Sequence, residues 1–233
     1  MADDINDYYK NYNYGARWPV YAKQEDMRPD QWDRLIKSEN FCMIPWIHMH
    51  AFPDGRAYPC CLGDPDHSVG NLKTHTMREI WNQLPLRQMR LNMLEDKSCK
   101  ECTKCIEQER SELFSMRNSS NKNFGHLINL VDETNADGSL NDFKLRYYDV
   151  RFSNICNFSC RSCGSLFSSS WYRDEKAAGW NPQHPQIMFA GKNKDDMWEQ
   201  MQEHIPHLEQ IYWAGGEPLI MDEHYRVLRE LVD

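Results

Sequence analysis

Cys156, Cys160 and Cys163 form a C-x3-C-x2-C loop directly after the strand-like run Lys144 to Phe152. Thiolates this close together read as metal ligands, and three on one short loop can hold three irons of a cubane [4Fe–4S] cluster. The fourth iron then has no protein ligand, so something else must bind it. Close-set cysteines also serve zinc. Farther along, a second apolar strand, Ile211 to Trp213, runs into Gly215-Gly216-Glu217-Pro218. Glycines let a ligand approach the backbone closely, and Glu217 offers an acceptor for a cation. Both motifs sit at the C-terminal end of a strand, where barrel and open α/β folds place their ligands.

The other cysteines, Cys42, Cys60, Cys61, Cys99, Cys102 and Cys105, lie in the N-terminal half. Cys42 to Phe52 alternates in strand fashion, Pro53-Asp54-Gly55 is a turn signal, and Arg56 to Cys60 is the returning strand of a hairpin. Successive strand residues point to opposite faces, so of the neighbours Cys60 and Cys61 only one is expected to ligate. Thr76-x-x-Glu79 is a capping box that opens a helix through Ile80 and Trp81. Pro85 starts another helix, with Leu86, Met89, Arg90 and Met93 at helical spacing, which leads to the knuckle Cys99-x2-Cys102-x2-Cys105. Two thiolates from the hairpin and two from the knuckle make a closed four-ligand site, for a second cluster or for zinc.

The loop and the Gly-Gly-Glu-Pro element together resemble the radical S-adenosylmethionine (SAM) enzymes, although Ser162 stands where that family usually has a bulky residue. The resemblance implies a (β/α) partial barrel with a [4Fe–4S] cluster on Cys156, Cys160 and Cys163. It further implies SAM chelated to the open iron and held by Gly215, Gly216, Glu217 and Pro218. The implied chemistry is one-electron cleavage of SAM to a 5′-deoxyadenosyl radical that abstracts hydrogen from a peptide or protein side chain. An electron donor such as flavodoxin or ferredoxin is implied too. The N-terminal half is similar to the SPASM/twitch auxiliary-cluster modules, through Cys42, Gly55-x4-Cys60, Gly70-Asn71-Leu72, Ile80-Trp81-Asn82 and the knuckle. That likeness makes Cys42, Cys60, Cys102 and Cys105 the auxiliary ligands: the motif favours Cys60 over Cys61, and the Cys102/Cys105 pair runs directly into Ile106 to Glu109. In the best-known members the module follows the barrel, whereas here it precedes it.

The rest of the chain frames these sites. It has 233 residues and a net charge of −8, with a pI near 5.6. That balance argues against a broad basic nucleic-acid surface. No apolar run approaches the ~20 residues of a membrane span, and the acidic N-terminus lacks a signal peptide's hydrophobic stretch. Nine cysteines without an export signal then read as metal ligands in a reducing cytoplasm, not as disulfides.

The fold expected is α/β: a small N-terminal α+β iron–sulfur (twitch-like) module over 1–118, a linker over 119–143, and the first two βα units of a radical SAM partial barrel over 144–233. The linker is marked by the polar stretches Ser119 to Asn123 and Thr134 to Ser139. Strands are expected at 145–152 and 209–213, with helices over 165–178, 195–204 and from Asp222. His48 and His50 share a strand face with Trp46 and Phe52 and are expected to be packed or hydrogen-bonded; Asn154 and Asn157 either donate to the thiolates or turn the backbone. A βα unit needs ~30 residues, so the last segment has room for two of the about six that the resemblance implies. The expectation is a fragment, a split-gene product or a truncated relative, completed by a complementary C-terminal chain. The competing reading is a non-catalytic iron–sulfur or zinc module serving as half of a split assembly.

Overall fold

The computed structural model describes residues 22–232; the tyrosines Tyr8, Tyr9, Tyr12 and Tyr14, candidates to grip a partner, lie outside them. The chain folds into two compact units made of interleaved segments. Of the described residues, one comprises those up to Ile47, Leu62–His67 and Leu84–Asp142; the other comprises His48–Cys61, Ser68–Gln83 and those from Phe143 onward.

The first unit is helical. Pro29, pre-set for a first helical turn, opens α1 (Pro29–Lys37), which buries Trp32 and Leu35. Ile44–Ile47 forms α2 where the residue pattern suggested strand. Pro45 has no amide to give a ladder but is tolerated in a first helical turn, and all four residues of α2 are buried. α4 (Leu84–Leu94) buries Leu86, Met89, Arg90 and Met93, the positions its spacing indicated. Arg90 is 0 % exposed; it donates from Nε to Pro45 O at 2.9 Å and from Nη1 to Gly138 O at 3.2 Å. Burial lowers its guanidinium pKa to about 9. α5 (Thr103–Arg110) follows the cysteine knuckle. Ser119 to Asn123, expected as a turn-rich boundary, lies inside α6 (Met116–Phe124). A capping box at Ser115 starts that helix, and the buried Asn121 and Phe124 hold it. Asn121 accepts from Met43 N at 3.0 Å and donates to Phe41 O at 3.1 Å, so local polarity gave way to tertiary hydrogen bonding.

The second unit is a five-stranded sheet in the order β3-β2-β1-β4-β5. β1 (His48–Ala51) and β2 (Arg56–Tyr58) form the antiparallel hairpin, with His50 opposite Tyr58. Gly55 turns the chain at φ +91°, a conformation that favours glycine. β3 (Gly70–Asn71) pairs with β2, and α3 (Met77–Trp81) follows, capped by Thr76 with Glu79 answering. β4 (Tyr147–Val150) then pairs in parallel with β1, matching His48 to Tyr147 and His50 to Asp149. β5 (Gln210–Ile211) pairs in parallel with the other edge of β4. The strand leading to the cysteine loop is therefore paired along both edges. α7 (Trp171–Ala177), α8 (Asp196–Met201) and α9 (Asp222–Val232) complete the unit. The serines expected to begin α7 form a loop instead, and Gly179 ends the helix at φ +83°. Among the described residues no helix is long and apolar enough to cross a membrane.

His48 and His50 are both buried, as their pattern indicated. His48 stacks on Tyr147 with centroids 4.2 Å apart and donates from Nδ1 to Tyr147 O at 2.9 Å. Burial pulls its pKa down to about 4. The folded state holds it neutral while the unfolded chain, with a pKa near 6.5, takes up a proton. Stability should therefore fall as pH drops from about 6.5 toward 4, by on the order of 2–3 kcal/mol in total. Urea unfolding at stepped pH should show this slope, and His48→Gln should flatten it.

Candidate metal centre

The cysteine loop follows the short extended segment after β4 (Tyr147–Val150) and is held by Asn154, which is 0 % exposed. Its Nδ2 donates to Ser165 O at 3.0 Å and to Gln186 O at 2.9 Å, and its Oδ1 accepts from Met188 N at 2.8 Å. The Asn154 amide thus ties three backbone segments together; of its two expected roles it takes the structural one. Asn157 is exposed.

Three of the loop's own carbonyls are taken by side chains from the segment expected as a helix over 165–178. Ser170 Oγ donates to Cys156 O at 2.7 Å, Ser168 Oγ to Phe158 O at 2.7 Å, and Trp171 Nε1 to Cys160 O at 2.9 Å. Ser169 Oγ accepts from Cys156 N at 3.1 Å. Serine hydroxyls readily bond nearby backbone, and four serines between Ser165 and Ser170 were the available signal. With its backbone fixed, the loop presents Cys160 exposed and Cys156 and Cys163 half-buried, all as free thiols. Phe158 N donates to Cys156 Sγ at 3.4 Å, the kind of outer hydrogen bond that orients a metal-ligating thiolate. Burial raises the Cys163 thiol pKa, the charges of Cys156 and Cys160 raise it further, and Arg151 opposes them.

Gly215 and Gly216 have φ of +80° and +56°. Gly216 N donates to Phe167 O at 3.0 Å and Glu217 N to Ile155 O at 2.8 Å, joining this turn to the cysteine loop. A Cβ at Gly216 would stand 2.0 Å from Ile155 O, so the approach requires glycine. Glu217 Oε1 accepts from Leu219 N at 3.0 Å, capping the short 3₁₀ turn that Pro218 begins.

The other cysteines are distributed as follows. Cys42, Cys99, Cys102 and Cys105 belong to the helical unit, and Cys60 and Cys61 to the sheet unit. Cys42 precedes α2 and is not on the hairpin; Cys60 and Cys61 lie past the end of β2, so strand alternation does not choose between them. Burial pushes the Cys42 thiol up to about 12 and also raises Cys105, while the Arg117 cation opposes both. Arg117 is itself anchored by Glu109 and by the carbonyls of Ser38 (2.9 Å) and Phe41 (3.3 Å). A hydrogen bond with Cys102 lowers the Cys99 thiol. Among the described residues no three His, Cys, Asp or Glu side chains are gathered as a metal-ligating group. The donor chemistry nevertheless suits iron–sulfur ligation, since all nine cysteines are free and a metal captures thiols by displacing their protons.

This is also what comparison with known families supports. Residues 42–106 match the family described as SPASM, an iron-sulfur cluster-binding domain. That segment carries six of the nine cysteines, and the match supports an iron–sulfur cluster-binding role for it. No curated protein and no solved structure matches the chain.

Replacing Asn154 by Ala strips hydrogen bonds from three backbone groups, two of them buried, and should cost about 2–3 kcal/mol. Trp171→Phe removes one bond and should cost about 1 kcal/mol. In both variants hydrogen exchange should accelerate at residues 155–165 while the helical unit exchanges as before. Unchanged exchange in that loop would mean that these side chains do not hold it.

Proposed function

We propose that the chain is a radical SAM iron–sulfur protein acting in peptide or protein modification, with an auxiliary-cluster module N-terminal to its SAM site. The observation that carries this reading is the pair of hydrogen bonds from Gly216 and Glu217 to Phe167 O and Ile155 O. Two motifs separated in sequence meet at the C-terminal ends of parallel strands, as a shared ligand site requires. Cys156, Cys160 and Cys163 would hold a [4Fe–4S] cluster, and Cys42, Cys60, Cys102 and Cys105 a second one. When bound, the first cluster supplies one electron for homolysis of SAM to methionine and a 5′-deoxyadenosyl radical. The chain's contribution is to fix three thiols on a rigid loop and to set a close-fitting glycine backbone beside them. Glu217 has one carboxylate oxygen committed to Leu219, which leaves Oε2 to accept from the SAM ammonium. A flavodoxin or ferredoxin and a peptide substrate are the partners this reading assigns, in the cytoplasm.

Anaerobic reconstitution tests it. The chain should take up about eight irons and eight sulfides, the content of two cubane clusters. Replacing Cys156, Cys160 and Cys163 by Ala should remove half of them and leave a cluster whose EPR signal ignores SAM. Gly216→Val should keep the iron but weaken the SAM response, since its side chain collides with Ile155 O. Purification with zinc alone, or full iron content in the triple variant, would favour the non-catalytic metal module instead.

A further inference from the structure

Arg151 follows β4 on the strand face that carries His50 and Asp149, and its side chain is half-buried. Its guanidinium carbon lies 5.2 Å from the ring centroid of Phe52 and 4.9 Å from that of Phe167. The two rings meet edge to face with centroids 5.1 Å apart. The stem is confined as well. Arg151 N donates to Ala51 O at 3.2 Å, and a Cβ on Gly215 would fall 2.3 Å from Arg151 Cβ. The cation is thus held in place beside the Gly-Gly turn and near enough to Cys163 to affect that thiol.

Its hydrogen bonding is incomplete. The Nε atom is buried with no partner, and no ion pair among the described residues involves this arginine. Aromatic faces compensate the charge, but they leave the planar fork of N–H donors unused. Buried polar groups are nearly always paired, and an exception calls for an explanation such as a bound ligand. A fixed guanidinium fork matches a carboxylate in bidentate fashion. Among the described residues two carboxylates keep a buried oxygen without a partner, Asp149, whose Oδ2 is engaged by His50 Nδ1 at 2.9 Å, and Glu223; neither forms an ion pair with Arg151.

We propose that Arg151 is the carboxylate-binding residue of the ligand site at the C-terminal ends of β1, β4 and β5. The identity of the ligand rests on the radical SAM reading: the carboxylate is either that of SAM's methionine moiety or that of a peptide substrate.

The test uses the full chain. With arginine side chains 15N-labelled and no cluster present, acetate should shift the Arg151 Nε–H resonance saturably, with Arg151→Gln identifying the signal. After anaerobic reconstitution, Arg151→Gln should weaken SAM binding ten-fold or more while leaving decarboxylated SAM unaffected, and Arg151→Lys should restore part of the loss. That pattern assigns the carboxylate to SAM. An acetate shift in the wild-type chain together with unaltered SAM binding in Arg151→Gln assigns it to the peptide. An acetate shift in a chain that binds no SAM would sink the radical SAM reading and leave the carboxylate site standing. The proposal is overturned if acetate causes no shift, or if Asp149→Asn moves the resonance while acetate does not.

Discussion

The parallel pairing of His48–Ala51 with Tyr147–Val150 is the constraint on which the sheet unit depends. It brings a hairpin from the N-terminal half against the strand that launches the cysteine loop, across a long intervening stretch of chain. Loop-closure entropy grows only slowly with length, so the cost of that long connection is modest. What secures the register is cross-strand chemistry: the His48–Tyr147 stack, and the His50–Asp149 hydrogen bond between side chains each 1 % exposed. Slipping by one residue would turn every side chain to the other face, stranding Asp149 without its histidine. A buried carboxylate deprived of its partner is costly, so the pair makes the register hard to change.

From that register the position of the cysteine loop follows. Three parallel strands end together, and the chain leaving β4 meets the turn leaving β5 close enough for backbone hydrogen bonding. The glycines at 215 and 216 are what this closeness demands, since any Cβ would strike Arg151 or Ile155. Ser168, Ser170 and Trp171 then hold the carbonyls of Phe158, Cys156 and Cys160, which fixes the backbone that carries the three thiols.

Much of this was legible in the residues, where local rules act alone. The Thr76 capping box, the inward face of α4 and the Gly55 turn stand where their signals put them, because each is decided by neighbours a few positions away. The misreadings have one cause, which is that tertiary partners outweighed local pattern. Ile44–Ile47 alternates like a strand yet is helical, buried on all sides in the helical unit. Ser119 to Asn123 is polar enough for a linker, but Asn121 spends its amide on backbone groups far away in sequence. Arg151 gave no signal at all, because its unpaired state exists only once Phe52 and Phe167 enclose it.

The interleaving of the two units bears on how this protein can be divided. The segment 42–106 is continuous in sequence, yet its hairpin and α3 belong to the sheet unit while the knuckle cysteines belong to the helical one. Cutting it out would deprive β1 of β4 and leave an open sheet edge, the feature that invites wrong pairing. The segment is therefore not a portable cassette. Grafting it onto another host would require transplanting the strand at Tyr147–Val150 as well, and recombination breakpoints placed at its ends would yield chains that lack half of a sheet.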